Sequence, residues 1–301
     1  MEANNLMVVN STDGQSSEIL GKFLYYSFPR LLINKKEFKE LVERYGFPAS
    51  KREKHSAIDA FRCATTDVKD RIVEETVNEE TNDYRKLANV QLDRNSGDIF
   101  VTDVDCFTRR DVDGYCDKVK ELYKLYLDSV GNRQIETVAD KYISSLNAIK
   151  ISARGYHFFI PKQYMGYIDD FEDFMEELSG MNLYAPTNKA TRKEISINSM
   201  YVADDEKQRK KMATEFYLYM QKQIQDYQDK IEKLIKAGSQ SNAILTRWLN
   251  RVSTLEDKKY DYEVILKQRL NDMDSEFECL RTLCDEYKLR VRAKGGYNIA
   301  A

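Results

Sequence analysis

The chain has 301 residues, of which 47 are basic and 50 acidic, so its formal net charge is −3. General nucleic-acid-binding proteins normally carry a basic excess, and this balance argues against that class while leaving room for a local basic groove. Apolar residues make up 42% of the sequence and only four residues are proline. This composition is typical of a folded, helix-rich protein and not of a disordered chain.

The amino terminus and the cysteines predict a cytoplasmic protein. Residues 1–4 lack the basic and apolar segments of a signal peptide, and no apolar run reaches the length of a membrane span. The five cysteines include no CxxC pair, which favours reduced thiols over a disulfide framework or a zinc site. The sequence also lacks a glycine-rich phosphate loop and has only two histidines, so we predict no cofactor and no set of catalytic residues.

Residues 1–15 are predicted to be flexible, and residues 16–203 are predicted to form an α+β globular domain. Its first three predicted helices span residues 16–28, 34–45 and 56–64. Each begins at a serine or asparagine whose side chain can cap a helix. In the third helix, Ile58, Phe61 and Ala64 form the predicted buried stripe.

The spacing of apolar residues changes from helical to alternating after Tyr84. Alternation on both sides of a turn at residues 93–97 predicts a β-hairpin. The other predicted strands are residues 72–78, 149–153, 156–160 and 195–201, and the other predicted helices are 113–129, 134–146 and 171–178. Because the strands follow one another as hairpins, the domain is predicted to contain an antiparallel sheet.

Residues 204–293 are predicted to form a helical hairpin that turns at Gly238, followed by a flexible end at residues 294–301. Its arms are predicted to be continuous helices over residues 205–236 and 242–292. Both arms carry apolar residues at alternating steps of three and four, which is the pattern of a coiled coil. The first arm has its predicted seam at Ala213, Tyr217, Met220, Ile224, Tyr227, Ile231 and Leu234.

The two arms differ in length by about 19 residues, or roughly 30 Å of helix. The first arm therefore ends near residue 271 of the second, which leaves an apolar seam that the hairpin cannot cover. Such a stripe needs burial to be stable. We therefore predict that this seam contacts a partner, which is the chain's own domain, a second copy in a homo-oligomer, or a protein target. The predicted interaction residues are Met273, Phe277, Leu280, Cys284 and Tyr287.

Two further patterns suggest chemistry. Asp103 and Asp105 stand two apart at the end of a predicted strand, where both carboxylates would face one side and hold a divalent metal. A metal-dependent enzyme acting on nucleic acid would use them, with Arg109 and Arg110 near the phosphates. A solvated sheet face explains the two aspartates without a metal.

Arg154, Tyr156 and Phe158 combine a basic residue with aromatic rings on a predicted strand. Such a surface can stack the bases of single-stranded nucleic acid. Packing of Tyr156 and Phe158 in the core explains the same pattern.

Two segments carry a resemblance to known proteins: Asp59-Ala60-Phe61-Arg62-Cys63-Ala64, and Arg154-Gly155-Tyr156-His157-Phe158-Phe159-Ile160-Pro161. With the long helical tail, they resemble uncharacterised proteins of phages and plasmids of low-GC bacteria, over residues 15–165. The predicted architecture is also similar to phage counter-defence proteins such as the anti-Gabija inhibitors. This resemblance implies a mobile-element origin and a host defence complex as target, and it carries over no catalytic residue.

The leading prediction is therefore a non-enzymatic protein that binds another macromolecule and assembles through its helical arm. The alternatives are the metal-dependent enzyme at Asp103 and Asp105 and the nucleic-acid-binding module at Arg154, Tyr156 and Phe158.

Overall fold

The computed structural model describes residues 18–49, 56–68, 74–78, 83–86, 89–102, 109–152, 154–184, 194–238 and 241–295. The protein is a mixed α/β chain with an antiparallel sheet and a helical carboxy-terminal region. Its elements are β1 (Ile19–Ser27), β2 (Leu32–Asn34), α1 (Lys35–Arg44), α2 (Ala57–Asp67), β3 (Glu74–Asn78), β4 (Asp83–Lys86), β5 (Asn89–Leu92), β6 (Ile99–Thr102), α3 (Arg109–Leu127), β7 (Ser129–Gly131), α4 (Asn132–Ser145), β8 (Ile149–Lys150), β9 (Tyr156–Pro161), α5 (Gly166–Gly180), β10 (Ser196–Ala203), α6 (Glu206–Lys236), α7 (Asn242–Leu266) and α8 (Asp274–Gly295).

The chain divides into two compact units that alternate along the sequence. The first unit comprises Met1–Tyr26, Ser144–Asp169 and Ile197–Ala301, and the second comprises Ser27–Ile143 and Asp170–Ser196. The predicted boundary between residues 203 and 204 does not separate them. The physical reason is a shared core: Leu20, Ile149 and Phe159 of the strands are buried in one cluster with the side chains of α6, α7 and α8.

The first unit contains a four-stranded sheet with the strand order β10-β1-β9-β8. β1 pairs antiparallel with β9, from Gly21 opposite Pro161 to Tyr26 opposite Tyr156. The helix predicted over residues 16–28 is therefore wrong from residue 18 onwards, where the described residues begin. Because β1 lies between two other strands, apolar residues occupy both of its faces: Leu20, Leu24 and Tyr26 are buried on one, and Ile19, Phe23 and Tyr25 are half-buried on the other. A nearly continuous apolar run of this kind cannot be told from a helix by its spacing alone.

Gly21 permits the close approach of β1 and β9. A Cβ atom at this position would lie 2.2 Å from the carbonyl oxygen of Ile160 and 2.8 Å from the ring of Phe159. Only a residue without a side chain fits there.

The second unit confirms most of the predicted elements. Asn34 caps α1 by accepting hydrogen bonds from the backbone N–H groups of Lys36 and Glu37, and Ser56 caps α2. β5 and β6 form the predicted hairpin, and β3 confirms the strand predicted at residues 72–78. Within α2 the predicted stripe is only partly correct: Ala64 is buried, but Ile58 is 41% exposed. The prediction missed the short pair β2 and β7, whose three residues each are too few to show alternation.

The continuous second helix predicted over residues 242–292 is also wrong. α7 ends at Leu266, Lys267 adopts a left-handed conformation with φ 54°, and α8 begins at Asp274 after a turn of 3₁₀ helix. α8 then returns along the other two helices. It runs antiparallel to α7, since Asp274 pairs with Lys259 and Arg281 pairs with Glu256.

α8 runs parallel to α6, since Tyr217 contacts Glu276 and Arg290 donates a hydrogen bond to the backbone carbonyl of Ile235. α6 and α7 are antiparallel to each other. Their ring pairs are Tyr227 with Trp248, and Phe216 with Tyr262. Because α6 faces two helices, its buried stripe is wider than the predicted seam. Met220, Ile224 and Ile231 are buried as predicted, and Ala213, Tyr217, Tyr227 and Leu234 are half-buried against the same core. Met212, Phe216 and Ile235 are buried in addition.

Candidate functional site

The five predicted interaction residues are buried inside the first unit. Met273, Phe277, Leu280, Cys284 and Tyr287 are each exposed by 3% or less and belong to the core formed with α6 and α7. The seam thus needs no outside partner, because the return of α8 covers it. Burial also raises the pKa of the Cys284 thiol to about 11, which disfavours a reactive thiolate.

The fold of α8 against α7 creates a groove that the sequence did not predict. The groove has a volume of about 330 Å³. Phe277 is buried and contributes to its wall, while Tyr260 is 68% exposed. The lining residues are Glu256, Lys259, Tyr260 and Glu263 of α7, and Asp274, Phe277, Glu278 and Arg281 of α8.

The charges of the groove are unequal. Its lining contains four carboxylates and two cations. The Lys259 ammonium lies 2.6 Å from a carboxylate oxygen of Asp274 and 3.5 Å from one of Glu263. The Arg281 guanidinium lies 2.6 Å from Glu256, and this contact raises the pKa of Arg281. Both cations are therefore engaged by carboxylates, and the lining keeps a formal charge of −2.

α7 carries an exposed apolar pair, one member of which lines the groove. Tyr260 lines it, and Val264 stands one helical turn further along and is 62% exposed. Residues four apart on a helix are neighbours on one face, so these two side chains form a continuous apolar strip. Surface strips of this kind, rimmed by charges, are typical of protein interaction sites.

The first unit also contains an ionisable group that burial strongly perturbs. Burial lowers the pKa of the Lys258 ammonium to about 8. The ammonium donates hydrogen bonds to the carbonyl of Ala148, at 2.6 Å, and to the hydroxyl of Tyr219, at 3.3 Å. Tyr262 donates a further hydrogen bond to the carbonyl of Asn147. These two carbonyls follow the end of α4, so Lys258 and Tyr262 satisfy backbone groups there, and we assign them a structural role.

The second unit has a polar cluster around Arg30. Its guanidinium forms an ion pair with Asp67 and donates a hydrogen bond to the hydroxyl of Tyr126, which in turn donates one to Asp67. Arg30 also stacks over the ring of Tyr184, with its guanidinium carbon 4.7 Å from the centroid. Burial and the hydrogen bond to Asp67 raise the pKa of Tyr126. This cluster links the start of β2 to α2 and α3.

The structure does not bring the predicted nucleic-acid-binding residues together on a surface. Arg154 is exposed, but Phe158 is buried, so its ring cannot stack on a base. Tyr156 stacks on the ring of Tyr26, with centroids 4.8 Å apart. Packing of Tyr156 and Phe158 against other residues, which was the alternative interpretation of this pattern, explains both aromatic residues.

The predicted metal residues Asp103 and Asp105 lie outside the described residues. Within the described ranges, no group of three or more histidine, cysteine or acidic side chains is arranged to hold a metal ion. None of the described helices is both long and apolar enough to cross a membrane.

Sequence reasoning missed the groove because the groove depends on the break after α7. A continuous helix would place Glu256 and Arg281 about 38 Å apart. The one available signal was the spacing of Tyr260 and Val264 on the otherwise polar face of the second arm.

Comparison with known proteins gives the family of the chain and nothing on its activity. A family model matches residues 19–72 and 68–295, so the chain belongs to this family, which is described as a family of unknown function, DUF6744. No curated protein matches the chain. No solved structure matches it either.

Proposed function

We propose that this protein is a non-enzymatic binding protein that holds a basic, partly apolar segment of a protein partner in the groove between α7 and α8. The observation that carries this proposal is the combination of an acidic lining with the exposed strip of Tyr260 and Val264. An exposed tyrosine beside fixed charges supplies large contact area at small entropic cost, which is why tyrosine is enriched in binding sites.

The charge of the groove selects the chemistry of the partner. A net charge of −2 attracts lysine or arginine side chains and repels nucleic-acid phosphates. The volume of about 330 Å³ accommodates a few side chains and not a folded domain. The proposed occupant is thus a short segment that places a cation near Glu278 and an apolar side chain on Tyr260.

The experiment that tests this proposal is selection of displayed twelve-residue peptides on the purified protein. We expect the selected peptides to contain lysine or arginine next to an apolar residue. Replacing Tyr260 by alanine should weaken their binding about 30-fold, which corresponds to about 2 kcal/mol for an aromatic residue at the centre of an interface. Higher salt should weaken binding further because the charges of the groove are accessible to solvent.

Leu289→Ala is the matched control, because Leu289 is an exposed apolar residue of α8 that does not line the groove. If the selected peptides bind the Tyr260→Ala, Val264→Ala double variant as tightly as they bind the parent protein, the groove is not the binding site.

A host defence complex remains the proposed target class, supported by the resemblance to phage counter-defence proteins alone. Coiled-coil packing of α6 against α7 is part of the same proposal, supported by the antiparallel ring contacts of Tyr227 with Trp248 and Phe216 with Tyr262. The cytoplasmic location also remains a prediction.

A further inference from the structure

The turn between α7 and α8 has a sequence that is compatible with a continuous helix. Residues 267–273 contain neither glycine nor proline. Buried apolar residues also keep their spacing of three and four through the turn, at Tyr262, Leu266, Leu270, Met273, Phe277 and Leu280. Local sequence therefore permits one helix, and tertiary contacts stabilise the turn.

The turn carries an unfavourable backbone conformation. Lys267 has φ 54°, a left-handed conformation that costs free energy for any residue with a Cβ atom and that usually selects glycine at this position of a helix end. Of the residues described, only Asn147 is another non-glycine residue with positive φ. A continuous helix would remove this cost.

Specific polar contacts hold the turn. The Lys267 ammonium lies 2.8 Å from Asp204 and 3.4 Å from Glu18. The Glu263 carboxylate accepts a hydrogen bond of 2.9 Å from the backbone N–H of Leu270. A straight helix would lose these contacts. The contacts of α8 with α6 and α7 would be the same if α8 came from a second copy of the chain.

We propose that α8 exchanges between two copies of this chain. In the exchanged dimer, α7 and α8 of each copy form one helix of roughly 80 Å, and α8 of each copy packs on α6 and α7 of the other. The same five buried residues then become contacts between chains. Each groove is built from α7 of one copy and α8 of its partner, so the second copy supplies Phe277 and Arg281 to the binding site.

This inference rests on the backbone of the turn and not on the function proposed for the groove. The exchanged dimer buries the apolar seam of α8 as the monomer does, because the exchanged α8 covers the same surface. Exchange of an element between identical chains preserves all contacts except those of the turn.

A matched pair of substitutions at Lys267 tests the proposal. Lys267→Ala and Lys267→Gly both remove the ammonium and its contacts with Asp204 and Glu18. They differ in backbone preference, since alanine favours the straight helix and glycine favours the left-handed turn. After incubation at a raised temperature that allows exchange, sedimentation should give a dimer dissociation constant at least about tenfold lower for Lys267→Ala than for Lys267→Gly.

Carbodiimide coupling of the Lys259 and Asp274 ion pair identifies which chain supplies α8. The reagent joins an ammonium and a carboxylate in contact as an amide, so the bond lies within one chain in the monomer and between chains in the exchanged dimer. We expect a covalent dimer whose cross-linked peptide joins residues 259 and 274, and we expect the Lys259→Arg variant to lose it, since arginine keeps the charge but forms no amide under these conditions.

Three results would overturn the proposal: equal association of the alanine and glycine variants, a dimer whose 259–274 amide remains within each chain, and a protein that stays monomeric in every variant. None of them bears on peptide binding by the groove of the monomer, so the two proposals fail separately.

Discussion

The side-chain ammonium of Lys258 donates a hydrogen bond of 2.6 Å to the backbone carbonyl of Ala148, and the residue is partly buried. Burial disfavours its charged form and lowers its pKa from 10.5 to about 8. Between these two values the unfolded chain binds more protons than the folded one, so the free energy of unfolding rises with pH in this window.

This linkage predicts a difference in pH dependence between the parent and a variant that lacks Lys258. From pH 7.5 to pH 9.5 the lysine should increase the free energy of unfolding by about 2 kcal/mol. Urea unfolding of the parent and of Lys258→Met at these two pH values measures the difference. The slope should be lower by this amount in Lys258→Met and unchanged in Lys230→Met, which removes an exposed lysine of α6. Buried thiols whose pKa is raised, such as Cys284, lower stability over the same window, but they do so equally in all three proteins.

The pH window must end below about 10. Burial raises the pKa of Tyr219 to about 12 and that of Tyr262 well above its usual value of 10. Tyrosines with raised pKa remain protonated in the folded chain when they ionise in the unfolded one, and they lower the free energy of unfolding above pH 10. An equal slope in the parent and in Lys258→Met below that limit would show that Lys258 is not the group responsible.

Gly21 offers a second prediction, which concerns the sheet. The variant Gly21→Ala should lose about 3 kcal/mol of stability, because its Cβ would lie 2.2 Å from the Ile160 carbonyl oxygen within paired strands that cannot separate without losing hydrogen bonds. Gly114→Ala in α3 is the contrasting control. Nothing lies within 4 Å of its Cβ position, so alanine should stabilise the helix by about 0.5 to 1 kcal/mol. Thermal unfolding should give a melting temperature below that of the parent for Gly21→Ala and above it for Gly114→Ala.

The helices with strong local signals were predictable from sequence. Asn34 caps α1 and Gly46 ends it in a left-handed conformation, and both roles depend on neighbours within a few residues. The same holds for the hairpin of β5 and β6, whose turn contains Gly97 at φ 80°. Where the determining interactions are local, the residue types suffice.

The incorrect predictions concern elements whose conformation depends on residues far away in the sequence. β1 is a strand because β9 and β10 cover both of its edges, and these strands lie far away in sequence. Likewise, the turn at Lys267 depends on Asp204 and Glu18, 63 and 249 residues distant. The apolar spacing within residues 262–277 does not contain that information, and the groove between α7 and α8 was missed for the same reason.

The polar cluster of the second unit gives a third prediction. Tyr126→Phe removes the hydroxyl that donates to Asp67 and accepts from Arg30. Hydrogen bonds to charged groups contribute about 1.5 to 3 kcal/mol, so the free energy of unfolding should fall by that amount. Tyr115→Phe, at an exposed position of the same helix, should change it by less than about 0.5 kcal/mol. Equal losses in the two variants, measured by urea unfolding, would contradict the assigned role of the cluster.

The last prediction distinguishes burial within one chain from burial at a fixed interface with another protein. Phe277 is 3% exposed between α8 and its neighbours, so Phe277→Ala should lower the free energy of unfolding by about 2 to 5 kcal/mol through lost apolar transfer and the cavity left behind. Leu289→Ala on the same helix removes a side chain that is 66% exposed and should change it by less than about 0.5 kcal/mol. Because the monomer covers Phe277 with its own α6 and α7, the loss should appear in dilute protein that sediments as a monomer, and it should not depend on protein concentration over the range in which the protein stays monomeric. A loss of stability seen only at concentrations where the parent associates would instead place Phe277 at a contact between chains, and a fully stable Phe277→Ala monomer would contradict the packing of α8 described above.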